Sequence, residues 1–253
     1  MAKISLKKGI LDVVLYIIVF IVAQLVVLYA GAGIWAAVKH EGFQATLQAV
    51  KTGGNPALLA ITTVFSSIIT LIVFLKAKWV VLTRDYLLSK PWFTLLWVAL
   101  FTLGAIIPLE FLYEHLGLEM DENTGKLFEG LMKEPWGYVA VGILVPLTEE
   151  IVFRGAILRS LLDMMSKKNH WVAIMISAAM FGLAHGNAVQ FVNALLMGLL
   201  LGWMYYRTKS LVPGILMHWV NNTMAYILAN LVPQSDGKLI DLFGGNEKTV
   251  YYA

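Results

Sequence analysis

The chain contains seven apolar runs of about 17 residues or longer, and these runs limit what it can fold into. They lie at about 9–38, 55–75, 92–113, 136–162, 170–186, 188–207 and 211–232. A helix of this length crosses the hydrocarbon core of a bilayer and satisfies all of its own backbone hydrogen bonds there. The sequence therefore predicts an all-α fold, a polytopic transmembrane helical bundle with about seven spans.

The composition agrees with a membrane protein surrounded by lipid. Of the 253 residues 59% are hydrophobic and only 14% are charged, and the mean hydropathy is +0.74. The net charge of +3 is spread over short loops without a basic patch, so no nucleic-acid partner is expected. Because the chain has no cysteine, disulfides, thiolate metal sites and cysteine nucleophiles are excluded.

Lysine and arginine are distributed unevenly between the two sides of the predicted spans. Twelve lie on the side that includes the N-terminus and six on the other side, while Arg154 lies within a span. Cytoplasmic loops carry the excess of positive charge, so this count predicts a cytoplasmic N-terminus and an outside C-terminus. The compact chain favours a bacterial cytoplasmic membrane, although the spans would also suit an endoplasmic-reticulum membrane.

Three regions follow from this pattern. Residues 1–135 form N-terminal transmembrane helices and an interfacial segment, 136–232 form a core of four helices, and 233–253 are a polar C-terminal tail. The segment MDENTGKLFEGLMKEP at 120–135 predicts a short interfacial helix with an apolar face that includes Phe128 and Met132. A tight turn is predicted at Gly186-Asn187 between two spans.

Small and hydroxyl-bearing residues inside the spans have a structural interpretation. In the second span these are Ser66, Ser67 and Thr70, and in the sixth they are Gly198 and Gly202. Such residues allow helices to approach closely in a membrane, which favours packing over catalysis.

Ionisable side chains deep inside the predicted spans are few, and they lie in the last four runs. Each one near the bilayer centre costs about 2.5–3.5 kcal/mol on insertion scales, which makes it a functional candidate. They occur in three stretches together with asparagines: Glu149, Glu150 and Arg154; His185; and His218, Asn221 and Asn222.

Helical spacing pairs several of these groups, because residues four apart share a face. It places Glu150 over Arg154, Phe181 over His185, and His218 over Asn222. The first pair is nearly neutral. Glu149 is turned about 100° from Glu150 and has no intrahelical cation, so it is the candidate general base.

A helical rise of about 1.5 Å per residue gives each group a depth from the cytoplasmic end of its span. Glu149 comes out at roughly 20 Å, His185 at roughly 22 Å and Asn222 at roughly 16 Å, whereas His218 comes out at only about 10 Å. If the helices bring these groups together, Glu149 could take a proton from a water molecule that His185 orients toward a peptide carbonyl. Donors on His218 and Asn222 would then stabilise the oxyanion, while Asn221 faces a different direction.

The stretches EEIVFR, FGLAH and HWVNN resemble the three motifs of the CPBP family, the CAAX proteases and bacteriocin-processing enzymes also called Abi proteins. The family pattern is EExxxR, FxxxH and HxxxN or HxxxD on successive helices, and the resemblance covers roughly 136–232. It implies an intramembrane endopeptidase in which Glu149 activates water, with motif residues at His185, His218 and Asn222 and supporting residues at Glu150, Arg154 and Phe181. The implied substrate is a membrane-associated protein or peptide, lipidated in some members.

The resemblance also implies that a divalent metal could take part in the reaction. Two histidines and a glutamate can bind zinc, but HExxH spacing is missing and asparagine is a poor zinc ligand. We therefore expect a glutamate mechanism without a cofactor, with a divalent metal as the alternative.

Two other functions use the same residues. A catalytically silent immunity or binding protein would keep the fold without turnover. A proton-coupled transporter would line a pathway with the same ionisable groups, but no inverted repeat is visible in the sequence.

Overall fold

The computed structural model describes residues 5–118 and 120–231, and within these residues every regular element is helical. The first six helices are α1 (Leu6–Lys39), α2 (Phe43–Lys51), α3 (Pro56–Lys76), α4 (Asp85–Leu88), α5 (Trp92–His115) and α6 (Glu122–Lys133). Helix α7 is continuous over Tyr138–Leu144, Val145–Glu149, Glu150–Leu158 and Arg159–Met164. A 3₁₀ turn at Lys167–Asn169 leads to α8 (His170–Leu183), α9 (Ala188–Thr208) and α10 (Val212–Leu231). The predicted tail at 233–253 lies outside the described residues.

Helix α7 is the centre of the bundle. It contacts α1, α3, α8, α9 and α10, and every residue from Glu150 to Leu158 is buried. The segments Tyr138–Leu144 and Glu150–Leu158 have π-helical hydrogen bonding, and the other two segments of α7 are α-helical. Short π-helical stretches are rare and often mark functional sites. The first predicted motif therefore lies on the most enclosed helix of the molecule.

Helices α1 and α3 pack along each other on one side of α7. Gly31 of α1 permits this approach, because a Cβ atom there would lie 2.6 Å from Cγ2 of Thr62. The hydroxyl groups of Thr62 and Thr70 donate to the carbonyl oxygens of Leu58 and Ser66, both at 2.8 Å. These hydroxyl groups are thus satisfied within their own helix.

Helices α8 and α9 form the second close pair. A Cβ atom on Gly198 would lie 2.9 Å from Cβ of Ala178, and one on Gly202 would lie 3.0 Å from Cγ2 of Ile174. The predicted turn between the two helices is present, and Gly186 adopts a φ of +77°, which favours glycine. The packing role predicted for the two α9 glycines is confirmed.

Helix α5 packs against α10 at the edge of the bundle. Only Thr102 and Tyr113 are buried along its length, and its remaining surface is largely apolar and exposed. Four helices of the described chain are long and apolar enough to cross a membrane: α1, α3, α5 and α9. The protein is an integral membrane protein, and the count of seven spans stays a prediction.

The short helix predicted at 120–135 is present as α6, and its place in the membrane interface stays a prediction. Asp121 caps it by accepting a hydrogen bond from the Thr124 backbone N–H at 3.0 Å, and bonds from Thr124 lower the pKa of Asp121. Met132 is buried on the inner face of the helix. The Glu122–Lys126 and Glu129–Lys133 ion pairs lie on its exposed face. The amphipathic prediction for this segment is therefore confirmed.

Candidate active site

Three ionisable side chains from the last four predicted spans line a cavity of about 280 Å³. Its walls come from α3, α6, α7, α9 and α10, together with the C-terminal end of α8 and the turn after it. Glu149, His185, His218 and Asn222 all line it. The apolar lining residues are Phe128, Leu131, Met132, Val141, Val145, Phe181, Ala194, Met197 and Ala225. The cavity thus combines the polar side chains of the three sequence motifs with a largely apolar wall.

Glu150 and Arg154 form the buried ion pair expected from their spacing. Nη1 of Arg154 donates to Oε1 of Glu150 at 2.8 Å, and both side chains are 1% exposed. The Arg154 guanidinium also lies over the ring of Phe181, 4.3 Å from its centroid. Gly214 of α10 leaves room for the carboxylate, since a Cβ atom there would lie 2.8 Å from Oε2 of Glu150. The pair is therefore enclosed on several sides.

The imidazole of His218 lies between two carboxylates. Its Nε2 is 3.6 Å from Oε2 of Glu149, and its Nδ1 is 3.3 Å from Oε1 of Glu150. The two glutamates, which the sequence analysis placed on different faces, thus approach opposite edges of one ring. His218 is only 5% exposed, so it joins the base candidate to the buried ion pair away from bulk solvent.

His185 follows the last turn of α8. Its Nδ1 lies 2.9 Å from the carbonyl oxygen of Phe181. A carbonyl oxygen can only accept, so this bond assigns the proton to Nδ1 and leaves Nε2 with a free lone pair. The Phe181 ring packs edge-on against both imidazoles, with centroid distances of 5.0 Å to His185 and 5.8 Å to His218. Phe181 therefore packs against both histidines.

Asn222 lines the cavity, but one of its donors is engaged. Its Nδ2 donates to the carbonyl oxygen of Val141 at 2.9 Å, and its Oδ1 lies 3.3 Å from Nδ2 of Asn221. An amide nitrogen carries two hydrogens, so one N–H of Asn222 remains for another acceptor. Asn221 also lines the cavity, whereas the sequence analysis expected it to face elsewhere.

The depth estimate put His218 well away from Glu149, whereas in the structure Nε2 of His218 lies 3.6 Å from Oε2 of Glu149. The estimate assumed a regular α-helix throughout the fourth span, whereas Tyr138–Leu144 and Glu150–Leu158 have π-helical hydrogen bonding. Such local winding is not visible in hydropathy or spacing.

Two further polar residues of α9 line the cavity, Gln190 and Asn193, and neither was predicted from the sequence. The hydroxyl of Tyr113 on α5 donates to Oδ1 of Asn193 at 2.9 Å. This bond directs the Asn193 amide and leaves its N–H groups as donors. The signal was the recurrence of polar residues three apart, at Asn187, Gln190 and Asn193, in an otherwise apolar run.

The residues do not form a ready metal site. Within the described parts of the chain, no three His, Asp or Glu side chains are arranged as a ligand set. The nearest groups are already committed, since Glu150 is paired with Arg154 and His218 lies between two carboxylates. We therefore derive no chemical step through a metal.

Comparison with known proteins locates the same core. Residues 132–224 match the family model described as type II CAAX prenyl endopeptidase Rce1-like. This segment of the chain is thus similar to the CAAX endopeptidases that its motifs resemble. The three CPBP motifs identified in the sequence all fall within the matched segment.

Two CPBP-like relatives extend the comparison. The chain is 28% identical to "Putative membrane peptidase YdiL" of Bacillus subtilis, over 58% of this chain and 61% of the relative. It is 30% identical to "Membrane-embedded CAAX protease MroQ" of Staphylococcus aureus, over 57% of this chain and 60% of the relative. The chain thus spans about three fifths of the length of these curated relatives. No solved structure matches it significantly.

Proposed function

We propose that this protein is an intramembrane endopeptidase that hydrolyses a peptide bond with a water molecule activated by Glu149. The observation that carries the proposal is the shared cavity, which brings together two imidazoles, an amide and a carboxylate whose Oε2 has no hydrogen bond from any residue that the structure describes. The family match supports the reaction class. We place the catalytic core in residues 136–232.

In the proposed reaction, Glu149 accepts a proton from water as the water oxygen attacks the peptide carbonyl carbon. The free Nε2 lone pair of His185 accepts a hydrogen bond from the same water and orients it. The remaining N–H of Asn222 stabilises the developing oxyanion, and so does Nε2–H of His218 in the doubly protonated ring, since Nδ1–H faces Glu150. Glu149 then returns the proton to the leaving nitrogen as the carbon–nitrogen bond breaks, so a carboxylic acid, which keeps the water oxygen, and an amine form without net proton change at the site.

Glu150 and Arg154 act as positioning residues in this scheme. Glu150 holds Nδ1 of His218 and is itself held by Arg154, so the pair fixes the imidazole beside Glu149. Neither residue of the pair lines the cavity. Their effect on the reaction therefore passes through His218.

The substrate we propose is a membrane-associated protein or peptide. The cavity wall contributed by Phe128, Leu131 and Met132 of α6 suits an apolar segment, with polar groups placed for a backbone amide. One relative is named as a CAAX protease, which makes a lipidated C-terminal substrate a candidate for this chain. An unlipidated membrane peptide would fit the same wall.

The decisive experiment compares the wild-type protein with Glu149→Gln in membranes of the same cells, and identifies cleaved proteins by terminal-peptide mass spectrometry. Glutamine keeps the size of the side chain but cannot serve as the base, so the wild-type cleavages should disappear. A parallel arm adds a chelator. We expect cleavage to survive the chelator, and its loss there would revive the metal alternative.

The same comparison separates the other functions. Wild-type membranes without any cleavage absent from Glu149→Gln would favour a silent binding protein. Full cleavage by Glu149→Gln would remove Glu149 from the mechanism. Thermal unfolding of both purified proteins controls for loss of the fold, because the substitution removes no hydrogen bond to Oε2 among the described residues.

A further inference from the structure

A second, smaller pocket lies beside Glu149 and is not explained by the proposed site. Its volume is about 70 Å³, and it lies between α1, α3 and α7. The lining residues are Phe20, Gln24, Thr63, Ser66, Ser67, Thr70, Val145, Thr148 and Glu149. Three of them, Thr63, Val145 and Glu149, also line the larger cavity, so the two spaces adjoin at the base candidate.

The lining of this pocket is unusual for the interior of a membrane bundle. Six of its nine residues carry a neutral hydroxyl or amide group. Apolar cavities of this size stay dry, whereas a roomy polar cavity holds water when it offers each molecule two to four partners. A few water molecules fit in the observed volume, since one needs roughly 10–15 Å³ measured in this way.

Two residues that line this pocket carry a buried oxygen atom without a hydrogen-bond partner among the described residues, Oγ1 of Thr148 and Oε2 of Glu149. Thr148 is only 2% exposed and lines the small pocket. A buried hydroxyl without a partner costs about 1–3 kcal/mol, so such groups normally bind a protein group or an ordered water. The unpartnered hydroxyl therefore points to a ligand of water-like chemistry.

The hydroxyl groups of α3 have matching chemistry. Ser66 and Thr70 donate to the carbonyl oxygens of Thr63 and Ser66, at 3.1 Å and 2.8 Å. Their hydrogens are thus used within the helix, and their oxygens remain as acceptors. A carboxylate is also an acceptor, and water can donate to two such groups at once.

We propose that this pocket is a water-binding site that supplies Glu149 with the water consumed in hydrolysis, and that Thr148 and Gln24 hold water there. The inference rests on the proposed peptidase function. Each cleavage consumes one water molecule, and a peptide bound in the larger cavity excludes solvent from that side. The small pocket reaches Glu149 from another side, between α1 and α3.

The test uses the purified full-length protein and a model peptide that it cleaves, with kcat and KM measured for each variant. Thr148→Val keeps the shape of the side chain and deletes a hydroxyl that has no partner among the described residues. We expect kcat to fall about tenfold, as for one lost hydrogen bond, with KM unchanged. Thr148→Ser retains the hydroxyl and should restore kcat. Gln24→Leu, on a different helix, should lower kcat in the same way.

The matched control is Thr102→Val, a buried threonine on α5 outside both cavities. It should leave kcat unchanged. A dry pocket predicts the opposite for Thr148→Val, namely full kcat and an equal or higher melting temperature, because an unsatisfied hydroxyl would have been removed. Full kcat in both Thr148→Val and Gln24→Leu would overturn the water site.

Activity of Glu149→Gln beside that of the two pocket variants separates loss of the water site from loss of the peptidase mechanism. If Glu149→Gln is inactive while both pocket variants are fully active, the peptidase mechanism stands and the water site falls. If Glu149→Gln is itself fully active, both fall together. If Thr148→Val does not fold, Gln24→Leu and Thr148→Ser decide the outcome.

Discussion

The Nε2 atom of His218 lies 3.6 Å from Oε2 of Glu149, across the interface between α10 and α7. The opposite nitrogen of the same ring faces Glu150, which is paired with Arg154. One imidazole thus links the candidate base to a buried ion pair. This link joins the first and third sequence motifs into one chemical unit.

His218→Ala should lower the rate of peptide cleavage by about 10²-fold or more, the usual effect of removing a positioned acid–base group. The loss should appear in kcat, because His218 lies next to Glu149, the proposed base. Cleavage of a model peptide by the purified protein checks this. His170→Ala, which removes a histidine stacked on Tyr206 outside the cavity, is the matched control and should keep wild-type activity. Equal activity in the two variants would contradict the assignment.

Arg154→Ala should destabilise the protein by about 3–5 kcal/mol, because it leaves Glu150 as a buried charge without its cation. The free energy of unfolding in detergent and the melting temperature are both measured. The double variant Glu150→Gln/Arg154→Met removes both charges and should recover part of the loss. A normal melting temperature in Arg154→Ala would argue against a structural role for the pair.

Gly198→Ala should destabilise the contact between α8 and α9. The added methyl group would lie 2.9 Å from Cβ and 3.0 Å from Cα of Ala178, so the two helices must separate. Such overpacking costs about 1–3 kcal/mol. Gly104→Ala on α5 is the control, because nothing lies within 4 Å of the added atom. If both variants melt at the same temperature, close packing at Gly198 does not contribute to stability.

We expect the N–H groups of Asn193 in the cavity wall to bind the substrate backbone. Tyr113→Phe removes the hydroxyl that directs this amide, so it should weaken substrate binding. Loss of one hydrogen bond corresponds to at most about a tenfold rise in KM, with a smaller change in kcat. Asn193→Ala should have at least the same effect. Tyr29→Phe, on the outer surface of α1, is the matched control. A change confined to kcat would point to a direct catalytic role for Asn193 instead.

The proposed orientation can be tested by single-cysteine labelling, since the chain contains no cysteine. In intact cells, a membrane-impermeant maleimide should label Gln44→Cys, on the predicted outer side. Asn169→Cys should be labelled only after the membrane is permeabilised. Both positions are exposed, so lack of labelling reports the side of the membrane and not burial. The reverse pattern would show that the charge count assigns the wrong orientation.

Local features of the fold and site were predictable from the sequence. The Glu150–Arg154 pair, the Phe181–His185 contact and helix α6 all depend on residues three or four apart along one helix. The period of an α-helix and the hydropathy of its faces report such relationships directly. The helical class and the membrane environment follow from the same local signals.

Contacts between helices required the tertiary structure. No periodicity indicates that His218 separates Glu149 from Glu150, that Asn222 donates to Val141, or that Tyr113 directs Asn193. The contacts of His218 and Asn222 involve α7, whose π-helical winding shifts side chains relative to a regular α-helix. The sequence by itself determined which helices carry the polar groups, whereas packing between helices decided which groups meet, because that packing is set by residues distant along the chain.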